Sequence, residues 1–193
     1  MEKDRLLAFS DGVFAVIITI MVLELKVPQG TSLAVLASNV PVFLSYVLSF
    51  VYVAIYWNNH HHLFHAVHRV NGLILWANLH LLFWLSLVPF STGWMGQNHF
   101  APVPTAVYGA SLLMPATAWY FLQTALIRSQ GSNSLLARAI GRDFKGKASF
   151  VLYIVGIVSA FIDTRVSDAT YVLVALMWLV PDRRIEKLFG GSE

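Results

Sequence analysis

The chain has 193 residues, of which 57% are hydrophobic and only 12% charged, against about 25% charged in ordinary soluble domains. Its mean hydropathy is +0.65, and no Asp, Glu, Lys or Arg occurs from Val70 to Ile127, a stretch that has room for two helical crossings of about 20 residues each. This composition argues against a soluble monomer and for an integral membrane protein. The chain contains no cysteine, which removes disulfides, thiolate nucleophiles, zinc–thiolate sites and iron–sulfur clusters; any metal would rest on histidine or carboxylate. The net charge of +3 comes from basic residues in short loops beside apolar spans. That placement fits orientation in a bilayer rather than nucleic-acid binding.

In chain order the hydropathy pattern predicts six helices, near Arg5–Val27, Val40–Phe64, Asn71–Trp94, Val103–Ile127, Gly146–Ile162 and Ala169–Leu188. The breaks have turn chemistry: Pro28-Gln29-Gly30, the two prolines between Asn98 and Pro104, and the small polar run Ser129 to Asn133. Short loops predict a single all-α membrane domain over residues 1–189, with a flexible tail at residues 190–193. With the N-terminus inside, every Lys and Arg except Lys26 and Arg165 falls on one side, so the positive-inside bias predicts cytoplasmic termini. No A-x-A-like cleavage site follows a short apolar core, so the first helix is expected to be retained. The last two spans have short charge-free stretches, Ala148–Ile162 and Ala169–Pro181, which leaves open a four-span core with two shallow or re-entrant helices. The two halves share no repeat, which counts against an inverted-repeat transporter.

The first helix carries the most specific signal. Its charge-free core, Gly12 to Leu23, is bounded by Asp11 and Glu24, and carboxylates at bilayer depth usually face protein or water. At 100° per residue, Phe9, Gly12, Val16, Ile20, Leu23 and Val27 fall on one stripe with Thr19 on its flank, while Asp11 projects to the other side. The expectation is an enclosed helix with a buried carboxylate needing donors. Those donors are sought at the same end of the second span, Trp57-Asn58-Asn59-His60-His61-His62. Together with Arg5 and Ser10 they predict one polar network joining Arg5, Ser10, Asp11, Trp57, Asn58 and the histidines, His61 among them.

The segment Arg5-Leu6-Leu7-Ala8-Phe9-Ser10-Asp11 resembles the R-x-x-x-F-S-D signature of the transmembrane protein 175 family of potassium channels. Gly12 to Pro28 is similar to the rest of that family's first helix, and the run YWNNHHHLFH to its aromatic and histidine-rich second span. The resemblance covers the first seventy residues or so; beyond them it is one of topology. It implies a homotetramer of six-helix chains in the plasma membrane of a prokaryote, with the first helices around a central pore. The ordinary T-V-G-Y-G carbonyl filter, absent here, is also absent from that family. By distance from Asp11, the resemblance assigns stacked apolar constrictions to Val16, Ile20 and Leu23, and an influence on selectivity to Thr19. Val16 is smaller than the family's usual residue, so the narrowest ring is expected at Ile20 or Leu23. A ring of branched side chains expels water when narrow and conducts when widened, and threonine hydroxyls confer a moderate preference for potassium. The implied partners are a lipid bilayer, monovalent cations and other copies of the chain, with no cofactor and no tightly bound metal beyond potassium passing near Thr19.

Two other classes remain in view. A proton- or ion-coupled secondary transporter would use Asp11 and the second-span histidines as a relay. A metalloenzyme would use His61, His65 and His68, whose spacing resembles metal-ligand boxes, but the cluster is single and no Ser-His-Asp order, phosphate loop or catalytic carboxylate pair accompanies it.

Overall fold

The computed structural model describes residues 3–65, 67, 69–131, 134, 137 and 143–179, and every regular element among them is an α-helix. The order is α1 (Lys3–Leu23), α2 (Leu33–Ala37), α3 (Val40–His65), α4 (Gly72–Ser86), α5 (Val88–Gln97), α6 (Pro102–Gln130), α7 (Phe144–Ser159) and α8 (Thr164–Leu179). Four stretches are long and apolar enough to cross a membrane: α1, α3, Gly72–Gln97 and α6. α7 and α8 have 16 residues each, about 24 Å at 1.5 Å per residue, short of a hydrocarbon core of about 30 Å. The tail at residues 190–193, and Arg138, Arg142, Arg183, Arg184 and Lys187, lie outside the described residues.

Three boundaries differ from the sequence-based expectation, each for a local reason. α1 ends at Leu23, so Val27 is not on the helix; the backbone tightens to i→i−3 bonds, from Glu24 N–H to Met21 and from Leu25 N–H to Val22. The third span is two helices rather than one, because Pro89 has no N–H to continue the ladder and the Leu87 N–H bonds instead to the Trp84 carbonyl at 3.2 Å. The loop after α1 holds the short helix α2, started by Ser32, whose hydroxyl accepts from the Val35 N–H.

Helices pack in two groups. α1, the C-terminal half of α3, α4 and the C-terminal half of α6 share one core around Phe14, Phe64, Leu81 and Leu122. The N-terminal half of α6 joins α3, α7 and α8 around Tyr52, Tyr108, Tyr153 and Tyr171. In a bilayer the lipid is as apolar as leucine, so helices associate through close packing and interhelical hydrogen bonds rather than through exclusion of water. Tyr171 shows both. Its ring fills a notch left by Gly109 on α6 and Gly156 on α7, where a Cβ on Gly109 would lie 2.7 Å from Tyr171 Cζ. Its hydroxyl donates to the Thr105 carbonyl at 3.3 Å, while its own carbonyl accepts from the Tyr52 hydroxyl at 2.6 Å. Gly109→Ala is therefore expected to cost about 1–3 kcal/mol through overpacking, read as a lowered thermal unfolding temperature in detergent; an unchanged temperature would mean that the notch relaxes freely.

Candidate functional site

α1 has two apolar faces with different fates. Leu6, Ser10, Phe14, Ile17 and Met21 are buried against α3, α4 and α5. The stripe about 100° away is open: Phe9 is 56% exposed, Val16 54%, Ile20 45% and Leu23 77%, with Gly12 and Thr19 exposed beside them. The residues singled out for the constrictions therefore share one surface that no other described part of the chain covers. Thr19 donates its hydroxyl hydrogen to the Val16 carbonyl at 2.9 Å, which leaves its oxygen with lone pairs available to accept.

Successive residues of the F-S-D motif point three ways, as 100° steps require. Phe9 turns outward with the stripe. Ser10 is fully buried and ends a hydrogen-bonded chain through three helices: His60 Nε2–H donates to Asn78 Oδ1 at 2.8 Å, Asn78 Nδ2–H donates to Ser10 Oγ at 2.9 Å, and the Ser10 hydroxyl donates to the Leu6 carbonyl of its own helix at 2.8 Å. With this direction of donation His60 carries a proton on Nε2, and its Nδ1 is buried without a hydrogen-bond partner among the described residues. The ring sits between Phe14 and Phe64, at centroid distances of 5.6 and 4.6 Å.

Asp11 belongs to a separate group. It is exposed rather than enclosed, and its Oδ1 accepts from Trp57 Nε1–H at 2.9 Å. Trp57 also lies against His61, with ring centroids 6.2 Å apart. The single network anticipated from the sequence is thus divided in two. Arg5 is exposed and pairs with neither group among the described residues; it lies six positions from Asp11, about 9 Å along the axis and about 120° around it. Asn58 joins neither group. Asn78, which the sequence pattern did not single out, is the central link, and a lone amide inside the apolar run Leu73–Leu82 was its signal in the sequence.

At the other end of α1 the half-buried Glu24 carboxylate accepts from Gln97 Nε2–H at 3.1 Å and lies over Gly93 of α5. The rings of His61 and His65 stand 4.9 Å apart, while His68 lies outside the described residues. Among the described residues no three His, Asp or Glu side chains converge as metal ligands do.

Comparison with known proteins shows the family to which the chain belongs. The family model described as endosomal/lysosomal potassium channel TMEM175 matches residues 5–89, which contain α1 from Arg5 onward together with Ser10, His60 and Asn78. A potassium channel of Chryseobacterium sp. (strain P1-3) is 57% identical over 187 residues, covering 97% of this chain and 97% of that protein. The endosomal/lysosomal proton channel TMEM175 of Bos taurus is 37% identical over 81 residues, 36% of this chain and 17% of the bovine protein. The crystal structure of a lysosomal potassium-selective channel TMEM175 homolog from Chamaesiphon minutus superposes with a TM-score of 0.80 at 28% identity, covering 94% of this chain and 98% of that one. These likenesses place the chain among ion channels and not among enzymes. It belongs to the TMEM175 family.

The two polar groups predict different mutational costs. Asn78→Ala leaves His60 Nε2–H and Ser10 Oγ without their buried partner and is expected to cost about 1–3 kcal/mol, whereas Asp11→Ala frees an exposed indole N–H that water can satisfy and is expected to cost at most about 1 kcal/mol. Thermal unfolding of the two variants side by side checks this. Equal losses would mean that the buried chain has no special weight.

Proposed function

We propose that four copies of this chain assemble around a central axis as a potassium-preferring channel, with α1 of each copy lining the pore. The supporting observation is the open stripe of α1: its branched apolar residues recur at helical spacing, are held outward by a buried polar anchor, and have no partner among the described residues of the chain. Brought together by fourfold symmetry, Val16, Ile20 and Leu23 stack as apolar rings and serve as the gate, because a narrow apolar ring holds no continuous water column and offers an ion no ligands. Thr19 contributes four hydroxyl oxygens next to the rings and favours potassium moderately. Selectivity then rests on flexible hydroxyls rather than on a rigid carbonyl cage.

In this reading all six predicted crossings span the membrane, α7 and α8 being the last two, and the basic residues outside Lys26 and Arg165 face the cytoplasm together with both termini. The setting is the plasma membrane of a prokaryotic cell. Potassium is cargo, and no cofactor is required. The names of the relatives support potassium as the permeant ion. The carrier alternative needs a hydrogen-bonded proton path from Asp11 to the second-span histidines, yet Asp11 bonds to the Trp57 indole N–H and His60 to Asn78, and the absence of a hydrogen bond joining the two among the described residues favours a pore.

Ile20→Asn and Leu23→Asn are expected to wet the constriction and raise potassium flux into proteoliposomes several-fold, with unitary currents in planar bilayers. Unchanged flux in both variants, or flux that saturates and stops without a co-substrate, would contradict the reading.

A further inference from the structure

The histidines at the end of α3 divide between two surfaces. α3 buries His60, Leu63 and Phe64 in its last turns, and 100° steps carry His61 and His65 to the outside, where both are exposed. They stand four positions apart, the spacing at which side chains of one helix meet. His61 has a ring on either side along the helix, Trp57 with its centroid 6.2 Å away and His65 at 4.9 Å. Trp57 is committed to Asp11 through its indole N–H. Neither His61 nor His65 makes a hydrogen bond among the described residues, so no described partner competes for their ring nitrogens.

The separation of the two rings is informative. An imidazole nitrogen binds a transition metal at about 2.0–2.1 Å, which puts the ring centre about 3.2 Å from the ion. Two such rings are then about 4.5 Å apart at a square bond angle and about 5.2 Å apart at a tetrahedral one. The 4.9 Å between His61 and His65 falls inside that window, and their planes are inclined at 65° rather than stacked. His62 falls outside it. Its ring is 5.7 Å from that of His61, and adjacent positions on a helix do not face each other. The donor set also selects the class of ion: imidazole nitrogens suit copper, zinc and nickel, whereas magnesium and calcium take oxygen ligands.

We propose that His61 and His65 chelate one exchangeable divalent transition-metal ion, of the copper, zinc or nickel class, on the outer face of the end of α3. Water completes its coordination, because no third His, Asp or Glu converges on the pair among the described residues. The open positions distinguish this site from a structural zinc centre, in which protein closes all four. Bridging residues 61 and 65 holds the last turn of α3 helical, one turn beyond the bond from Trp57 to Asp11 that joins α3 to α1. The site is independent of the pore.

Equilibrium dialysis of the full-length protein, freed of any affinity tag, against zinc chloride with elemental analysis of the retained metal tests it. Wild type is expected to take up one zinc ion per chain, and an excess of magnesium or calcium is expected not to displace it. His61→Gln and His65→Gln are each expected to weaken binding about tenfold or more, because the remaining imidazole loses the second ligand tied to it. His62→Gln is expected to leave binding unchanged. All three positions are exposed, so the variants are expected to fold. Copper(II) in place of zinc supplies a second readout: its electron paramagnetic resonance spectrum is expected to show coupling to two ring nitrogens in wild type and to fewer in either single variant. Zinc uptake that persists in the double variant His61→Gln, His65→Gln, loss of uptake on His62→Gln, or a wild-type copper spectrum without two nitrogens would each overturn the assignment.

Discussion

The rotation of α1 about its own axis is set by a hydrogen-bonded chain that runs from His60 through Asn78 to Ser10. A helix in an apolar environment is otherwise poorly specified in rotation, because lipid and neighbouring leucines solvate its apolar faces about equally well. A buried serine changes that. Turning α1 by one residue would carry Ser10 away from the Asn78 amide and leave the buried Asn78 Nδ2–H without its acceptor, at a desolvation cost that sets the helix's rotation. With Ser10 held inward, Phe9, Val16, Ile20 and Leu23 can only face outward. Phe14, packed edge-on against His60, adds a steric reason for the same setting.

The rest of the bundle serves as a support for that face. α4 and α5 carry Asn78 and Gln97 and meet α1 at both ends, one by the buried amide and the other through Glu24. The break at Leu87 lies between these two contacts. The tyrosine-rich core around Tyr171 lies away from α1 and fixes α7 and α8 to α6 and α3. The proposed gate therefore needs no moving part inside the chain. In the proposed assembly a change of ring diameter would come from the relative placement of copies, with each copy keeping its own core intact.

Much of the site was legible in one dimension because helical periodicity is a local property. The stripe from Phe9 to Leu23 follows from 100° steps alone, and the structure leaves those residues exposed. The helical segments also follow from hydropathy and turn residues, although Pro89, plainly visible in the third span, was a signal of the break at Leu87. The pairings were less legible. Asn78 and His60 are 18 positions apart, and Asn78 and Ser10 are 68 apart; no spacing rule links residues on different helices. Arg5 and Asp11 look like natural partners by charge, yet helix geometry separates them. Likewise Gly109 and Gly156 become meaningful only when Tyr171 is seen between them.

The central claim is that the outward stripe of α1 faces the conduction path, and the cysteine-free chain makes it directly testable by single-cysteine accessibility. Cysteines placed in turn at Thr19, Ile20 and Leu23 should each let a thiol-reactive cation reduce potassium flux, while cysteines at Ala15 and Val22, also exposed on the chain but off the stripe, should not. Block at Ala15 and Val22 with none at Ile20 and Leu23 would place a different surface of the helix, or a different helix, along the path of the ion.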